Sequence, residues 1–353
     1  MTQELSVEQV AGHALPGLWA RCTELAHTMS FPSFFCTGAW LEAAANHLNP
    51  DEQLFVLMVK EGADTRAVLP LFSKPNSLGG RDLHFLGVDF HPDPLGVLCA
   101  PEERNRVVRA LKNFLRSVPG WDQLVLTCIL EDELLAWGIP GTPVAVQPYI
   151  SLPPTFDAWL SRTDRKMRQN LRRKHRRMVE VGGTFVRVSE GESRQDVLDA
   201  LFWLHAKRAK EKGITSSIAH ARVEQLHRWL VAHTSDAVFF SILLQGKPIA
   251  ASYGFEFGQR FFSYQSAHDP EFDHLSPGSV SFYHRIETCC ARGLTEFNFL
   301  QGGEAYKWEW TKESRTLYQG VFRQANWRAC LLAGGQQGKV ALKKMVGALR
   351  RGH

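Results

Sequence analysis

Glu304, Tyr306 and Lys307 place a base, an acid and an anion contact within four residues of one another. They follow a strand-like run at 295–300, in a polar segment that contains Gly302 and Gly303. A glycine-containing polar loop leaving a buried strand is a natural place for a site. A surface loop anchored by Trp308 and Trp310 has the same composition. Upstream, Ser276-Pro277-Gly278-Ser279 opens a helical stretch. Ser as a cap, Pro in the first turn and a small Gly are ordinary helix-starting chemistry. The same free N–H groups can hold a phosphate, which the missing glycine side chain lets come close. Pro277 has no N–H to offer. His268, Asp269, Asp273 and His274 crowd one Pro-flanked loop, which reads as a turn, and no metal is expected.

Other chemistries lack their signatures. There is no Walker A loop, no Gly-x-Gly-x-x-Gly between a strand and a helix, no nucleophile elbow and no zincin pair. The seven cysteines are odd in number and without zinc-type spacing, so buried reduced thiols are expected. With 353 residues, 44% hydrophobic and 22% charged, the chain can build two packed cores and is neither disordered nor fibrous. Its apolar runs are strand-sized, well short of the ~18 residues of a membrane-spanning helix. Residues 1–10 carry Glu4 and Glu8 and no apolar core, unlike a secretory signal. A cytoplasmic protein is the expectation.

The elements that must position these residues come in two similar sets. Residues 54–59 and 67–72, turning at Gly62, form one strand hairpin; residues 239–244 and 249–257, turning at Gly246, form another. Each is followed by strand-like sequence, then a helix (104–116 and 279–292), a glycine (Gly120 and Gly293) and a strand (123–129 and 295–300). Alternating strands and helices predict an α/β fold of mixed sheets, built by tandem duplication. Prolines accumulate at 140–155, which sets the expected domains at 1–150, 151–330 and a basic tail at 331–353. Residues 339–351 have the spacing of a short amphipathic helix.

A long helix is predicted over 156–181, ended by Gly182-Gly183. Within it, residues 162–177 hold nine Lys/Arg against Asp164 alone, while the rest of the chain carries a small negative excess. Met167, Leu171 and Met178 give it a narrow apolar stripe, leaving the basic faces free. Such a face is either merely solvated or made for an anionic partner, and the charge density favours the partner.

The run Tyr264…Asp269-Pro270…Ser276-Pro277-Gly278…Gly293…Phe297-Asn298-Phe299…Gly302…Tyr306-Lys307…Trp310 resembles the CelD/BcsL-type acetyltransferases of the GNAT superfamily, relatives of the FemABX peptidyltransferases. The basic segment Arg165 to Arg177 resembles the start of that family's second domain. The resemblance implies tandem GNAT-like domains, the first degenerate, and acyl transfer from a thioester, usually an acyl-CoA (acetyl-CoA or another), to an amine or hydroxyl. It implies no metal. The positions matching the diphosphate loop are Ser276, Gly278, Ser279 and Val280. The chain departs from the pattern in two places: the usual Gln/Arg-x-x-Gly-x-Gly/Ala loop is missing, and Asn298 replaces a common Asp, which argues against a base there.

On that footing Glu304 is the expected base, Tyr306 the donor of a proton to the leaving thiolate, and Lys307 a contact to an anionic acceptor. Asn298 and Tyr264 would orient them. Arg168, Arg172 and Arg173 are the expected substrate contacts. The implied function is N-acylation of a sugar or glycan precursor, nucleotide- or lipid-linked, in polysaccharide or cell-envelope synthesis. Peripheral contact with the inner membrane surface would suit the basic segments. The alternatives are a FemX-like transferase using aminoacyl-tRNA and a non-catalytic GNAT-fold binding protein.

Overall fold

The computed structural model describes residues 4–334 apart from residues 11, 192, 212, 214–217 and 219. Hydrophobic alternation and turn glycines produce one succession of elements twice. The first is β1 (Leu5–Gln9), α1 (Leu15–Thr28), α2 (Gly38–Asn46), β2 (Gln53–Glu61), β3 (Asp64–Pro75), β4 (Arg81–Phe85), α3 (Arg104–Ser117), β5 (Gln123–Ile129), α4 (Glu131–Trp137) and β6 (Gly141–Ser151). Two helices intervene, α5 (Phe156–Arg162) and α6 (Arg165–Glu180). The second is β7 (Gly183–Val188), α7 (Ser193–Glu211), α8 (Ala221–His233), β8 (Ala237–Leu244), β9 (Lys247–Phe257), β10 (Arg260–His268), α9 (Pro277–Ala291), β11 (Glu296–Asn298), α10 (Ala305–Trp308) and β12 (Glu313–Arg323). Gly62, Gly120, Gly246 and Gly293 all have positive φ, as the hairpins and helix ends require.

All the strands described lie in one mixed sheet, ordered β1-β2-β3-β4-β5-β12-β6-β11-β10-β9-β8-β7. Each half builds five strands in order and then exchanges its sixth. β6 pairs with β11 of the second half, β12 with β5 of the first, and β6 and β12 pair with each other at the centre. The duplicated α/β arrangement with a mixed sheet expected from the repeats is what the chain adopts.

The proline-rich stretch at 140–151 is thus a central strand. Proline is rare in such places because it cannot donate to the ladder. The β6–β12 register slips beside Pro143, and Pro148 lies just past the end of the β11 pairing, where its carbonyl accepts the Phe299 N–H. The helix expected over 156–181 is two helices. Thr163 Oγ donates to the Leu160 carbonyl, and Asp164 accepts from the Met167 N–H, so one helix ends and another is capped within two residues. The strand expected over 295–300 is only three residues long, because Leu300 takes a left-handed φ of 59°. The tail helix expected over 339–351 lies outside the described residues.

Aromatic rings lock the halves together on one face. Phe34 stacks on Phe255 at 3.8 Å, and Phe35 meets Trp40, Phe262 and Tyr264 edge-on or tilted. Each such ring stabilises by ~1.5–3 kcal/mol through burial. A second core, of Trp159, Leu171, Phe261, Phe282, Phe297 and Trp310 among others, lies on the opposite face between the sheet and α5, α6 and α9. The cysteines described are buried except Cys330. Among the described residues, no helix is long and apolar enough to cross a membrane.

Candidate active site

β10 and β11 run parallel for three residue pairs, from Arg260↔Glu296 to Phe262↔Asn298, and then part. β10 continues to His268 beside β9. The chain after β11 stays with β6, through Phe299 N–H to Pro148 O and Gly302 N–H to Val146 O. The sheet therefore opens into a fork, and among the described residues no strand lies beside the outer edge of β10 from Ser263 to His268. The first half has the same three-pair contact between β4 and β5. There the gap beyond the end of β4 is stitched shut, because residues 95–98 bridge β5 at Leu95↔Ile129 and β3 at Val68↔Leu98.

At the open end of the fork, α9 begins. Ser276 does not cap it: its backbone is left-handed (φ 56°) and its side chain bonds no first-turn N–H. The unpaired amides of a first turn carry partial positive charge. Yet Lys174, from α6, reaches over to donate to Ser279 Oγ at 3.0 Å. A cation laid on the positive end of a helix is electrostatically unfavourable unless an anion joins them. Gly278 keeps this end open, since a Cβ there would come within 3.2 Å of His268 Nδ1. Val280 is buried in the core and its N–H already donates to Ser276 O, so it offers a diphosphate nothing. At the equivalent helix of the first half, α3, Glu102 and Glu103 occupy the preceding turn and fill the N-terminus with negative charge.

The loop between β10 and α9 uses its acids internally. His268 Nε2 lies 3.0 Å from Asp273, while Asp269 accepts from the Glu271 N–H and pairs with Lys207 at 2.7 Å. No group of three or more metal-ligating side chains occurs among the described residues.

The other arm of the fork carries Glu304, Tyr306 and Lys307, and the structure separates their roles. Lys307 is buried and donates to Leu300 O (3.2 Å), Gln301 O (2.8 Å) and Glu304 Oε2 (2.9 Å). With its three donors taken inside the protein, it holds the arm in shape. Asn298 does the same from the strand side, donating to Glu296 and accepting the Leu300 N–H at 2.8 Å. Together they brace the left-handed Leu300, a strained backbone of the kind that collects at functional sites. Gly302 (φ 119°) is needed for the same close packing, since a Cβ there would strike the Glu304 carboxylate. Glu304 itself is exposed at the start of α10.

Tyr306 is 44% exposed, its ring 5.9 Å from Phe282. Partial burial and the Glu304 carboxylate push its hydroxyl above the usual phenol range, while Arg285 and Arg208 pull it back. It therefore carries its proton at neutral pH, as a donor must. Tyr264 is not part of this group. It sits in the core of the opposite face among Phe35, Trp40 and Tyr253, and its hydroxyl donates to Phe90 O at 2.6 Å. Among the basic residues, Arg168 caps the C-terminus of α5, donating to the carbonyls of Leu160, Ser161 and Thr163. Arg173 bonds Asn170 on the exposed side of α6, and Arg172 is exposed beside it.

Three residues in this region were not singled out from sequence: Lys174, Arg285 and Asp93. Asp93 comes from the first half and is fully buried, held by Gln147 Nε2 at 2.9 Å. Burial pushes its carboxyl up to about 7, with Gln147, Lys307, the Gln301 amide and Arg315 pulling it down. An unfolded Asp releases its proton near its ordinary value of 3.8, so between there and about 7 the folded state holds the extra proton. Stability from this group therefore falls as pH rises through that window. Asp93→Asn should raise the melting temperature relative to wild type more at about pH 8 than at about pH 5; scanning calorimetry at both would show it.

Residues 165–308 match the family described as "Acetyltransferase (GNAT) domain". No curated protein matches the chain. Among solved structures, FemX aligns over 90% of this chain and 97% of its own, with 11% identity and a TM-score of 0.65. L-PGS from Bacillus licheniformis aligns over 83% of this chain and 93% of its own, with 12% identity and a TM-score of 0.54. A tandem GNAT protein from the clavulanic acid biosynthesis pathway aligns over 91% and 98%, with 13% identity and a TM-score of 0.47. Residues 165–308, which run from α6 to α10 and include the fork, thus match a GNAT-type acetyltransferase domain, and the fold of the chain is like that of FemX.

Proposed function

We propose that the protein is an acyl-CoA-dependent acyltransferase whose donor binds in the fork of the second half. The observation that carries this is the union of an uncapped helix N-terminus, a lysine laid upon it and an unpaired strand edge leading away. The amides at 278–279 and the Lys174 ammonium receive a diphosphate. The free backbone of β10 from His268 to Ser263 lines the carrier's arm. The acyl thioester supplies an activated carbonyl, at which an acceptor amine or hydroxyl forms the new bond while the carbon–sulfur bond breaks. Tyr306 holds a proton at the mouth of the fork for the leaving sulfur. Glu304, exposed beside it, accepts the proton lost by the acceptor. Lys307 and Asn298 fix the backbone on which both stand, and positioning of this kind can lower a barrier by ~7–11 kcal/mol.

The acceptor we propose is an amino sugar or glycan precursor bearing an anionic group, N-acylated in cell-envelope or polysaccharide synthesis. The exposed arginines of α6, Arg172 and Arg173, support it, since they stand on the helix that carries Lys174 and pair with no carboxylate among the described residues. A mass-spectrometric screen of acyl-CoAs against free and nucleotide-linked amino sugars should give a product heavier by one acyl group. No product with any amine or hydroxyl acceptor, and no binding of any acyl-CoA, would overturn the proposal. Lys174→Glu should weaken acetyl-CoA binding by about tenfold or more and flatten its salt dependence; titration calorimetry at low and high salt reads both.

A further inference from the structure

Arg285 stands on α9 two turns below the diphosphate position and is 0% exposed. Its Nη1 donates to Ser263 Oγ at 2.8 Å. Its guanidinium carbon lies 4.0 Å from the ring centre of Phe282 and 5.7 Å from that of Phe297. No carboxylate pairs with it among the described residues, and its Nε and Nη2 have no hydrogen-bond partner. Burial lowers its proton affinity to about 10, which leaves it charged at neutral pH. A buried guanidinium without a counter-ion is costly, and the faces of Phe282 and Phe297 offset only part of that cost.

The unpartnered atoms are specific. Nε–H and Nη2–H lie on the same edge of a guanidinium and point in parallel, the geometry that receives a carboxylate side-on. Their position is specific too. Ser263 is the first β10 residue past the last β11 pair, so it marks the apex of the fork. From His268, beside the start of α9, to Ser263 is five residues, or ~16 Å of extended strand. A carrier bound by its diphosphate at the helix and laid along this edge brings its acyl end to the apex. An acceptor approaches from the exposed side, past Glu304 and Tyr306.

We propose that Arg285 is a receptor for a carboxylate at the far end of the acyl group, so that the preferred donors are thioesters of short dicarboxylic acids rather than of acetic acid. The inference rests on reading the fork as the acyl-thioester site. An acetyl group ends short of the guanidinium and leaves it unpaired; a succinyl-type group completes the pair.

Titration calorimetry without acceptor, on the full chain, tests it with succinyl-CoA, acetyl-CoA and CoA. Wild type should bind succinyl-CoA at least about tenfold more tightly than acetyl-CoA. Arg285→Met should bring succinyl-CoA to the affinity of acetyl-CoA, and Arg285→Lys should keep part of the difference. The melting temperature of Arg285→Met should hold or rise, because a lone buried charge has been removed. Equal wild-type affinity for the two thioesters would overturn this proposal while leaving the donor site standing. A preference that survives in Arg285→Met, with a fall in melting temperature, would also overturn it and make Arg285 a packing residue. Binding of none of the three would overturn the donor site itself.

Discussion

Gly278→Trp is expected to abolish the rise in melting temperature that acetyl-CoA gives the wild-type protein, with at least about a hundredfold loss of affinity, or ~3 kcal/mol. The indole would project from the first turn of α9, over the amides that receive the diphosphate and beside Lys174. The backbone is ordinary there: Gly278 has no positive φ, and its nearest obstacle is the His268 ring at 3.2 Å, a side chain that can yield. The unliganded variant should therefore melt close to wild type. Differential scanning fluorimetry with and without acetyl-CoA separates the two effects. An unchanged ligand shift in a folded Gly278→Trp protein would remove the diphosphate from this helix.

Lys307→Met should be the most damaging single change on the other arm. It leaves the carbonyls of Leu300 and Gln301 without their donor and strips Glu304 of its partner. It also removes a positive charge that acts on the buried Asp93. Taking one partner from a buried ionic cluster typically costs ~3–5 kcal/mol, and because Glu304 is largely exposed the lower end applies. Urea unfolding should show that loss, and turnover should fall by about a hundredfold or more as the arm carrying Tyr306 loses its shape. Lys312→Met, an exposed neighbour, should do neither. A Lys307→Met protein with wild-type stability would contradict the bracing role.

The duplicated plan was legible because hairpins and helix ends write themselves locally, in alternation and in glycines such as Gly62 and Gly246. The exchange of β6 and β12 was not. Strand pairing across roughly 170 residues leaves no local trace, and the prolines that opened a bulge in β6 looked like those of a linker. The break between α5 and α6 did have a signal, since Asp164 was the one acid in a basic run and sits at a cap.

The site was half visible. Polar residues after a strand pointed to the arm at 302–307, and Ser276 to Ser279 pointed to a helix start. Burial then reassigned them: Lys307 faces inward, Tyr264 belongs to the aromatic core, and Arg168 caps a helix. Lys174 looked like any other charge of the basic stretch until α6 was placed across α9. Asp93 and Arg285 carried no motif at all, because a buried charge is recognised only by what surrounds it.

Amide hydrogen exchange of the full chain, with and without acetyl-CoA, tests the central claim most directly. Bound acetyl-CoA should slow exchange at residues 278–281 and along 263–268, and leave it unchanged at the start of α3 in the first half. Protection confined to the first half, or protection of neither segment at saturating ligand, would contradict it.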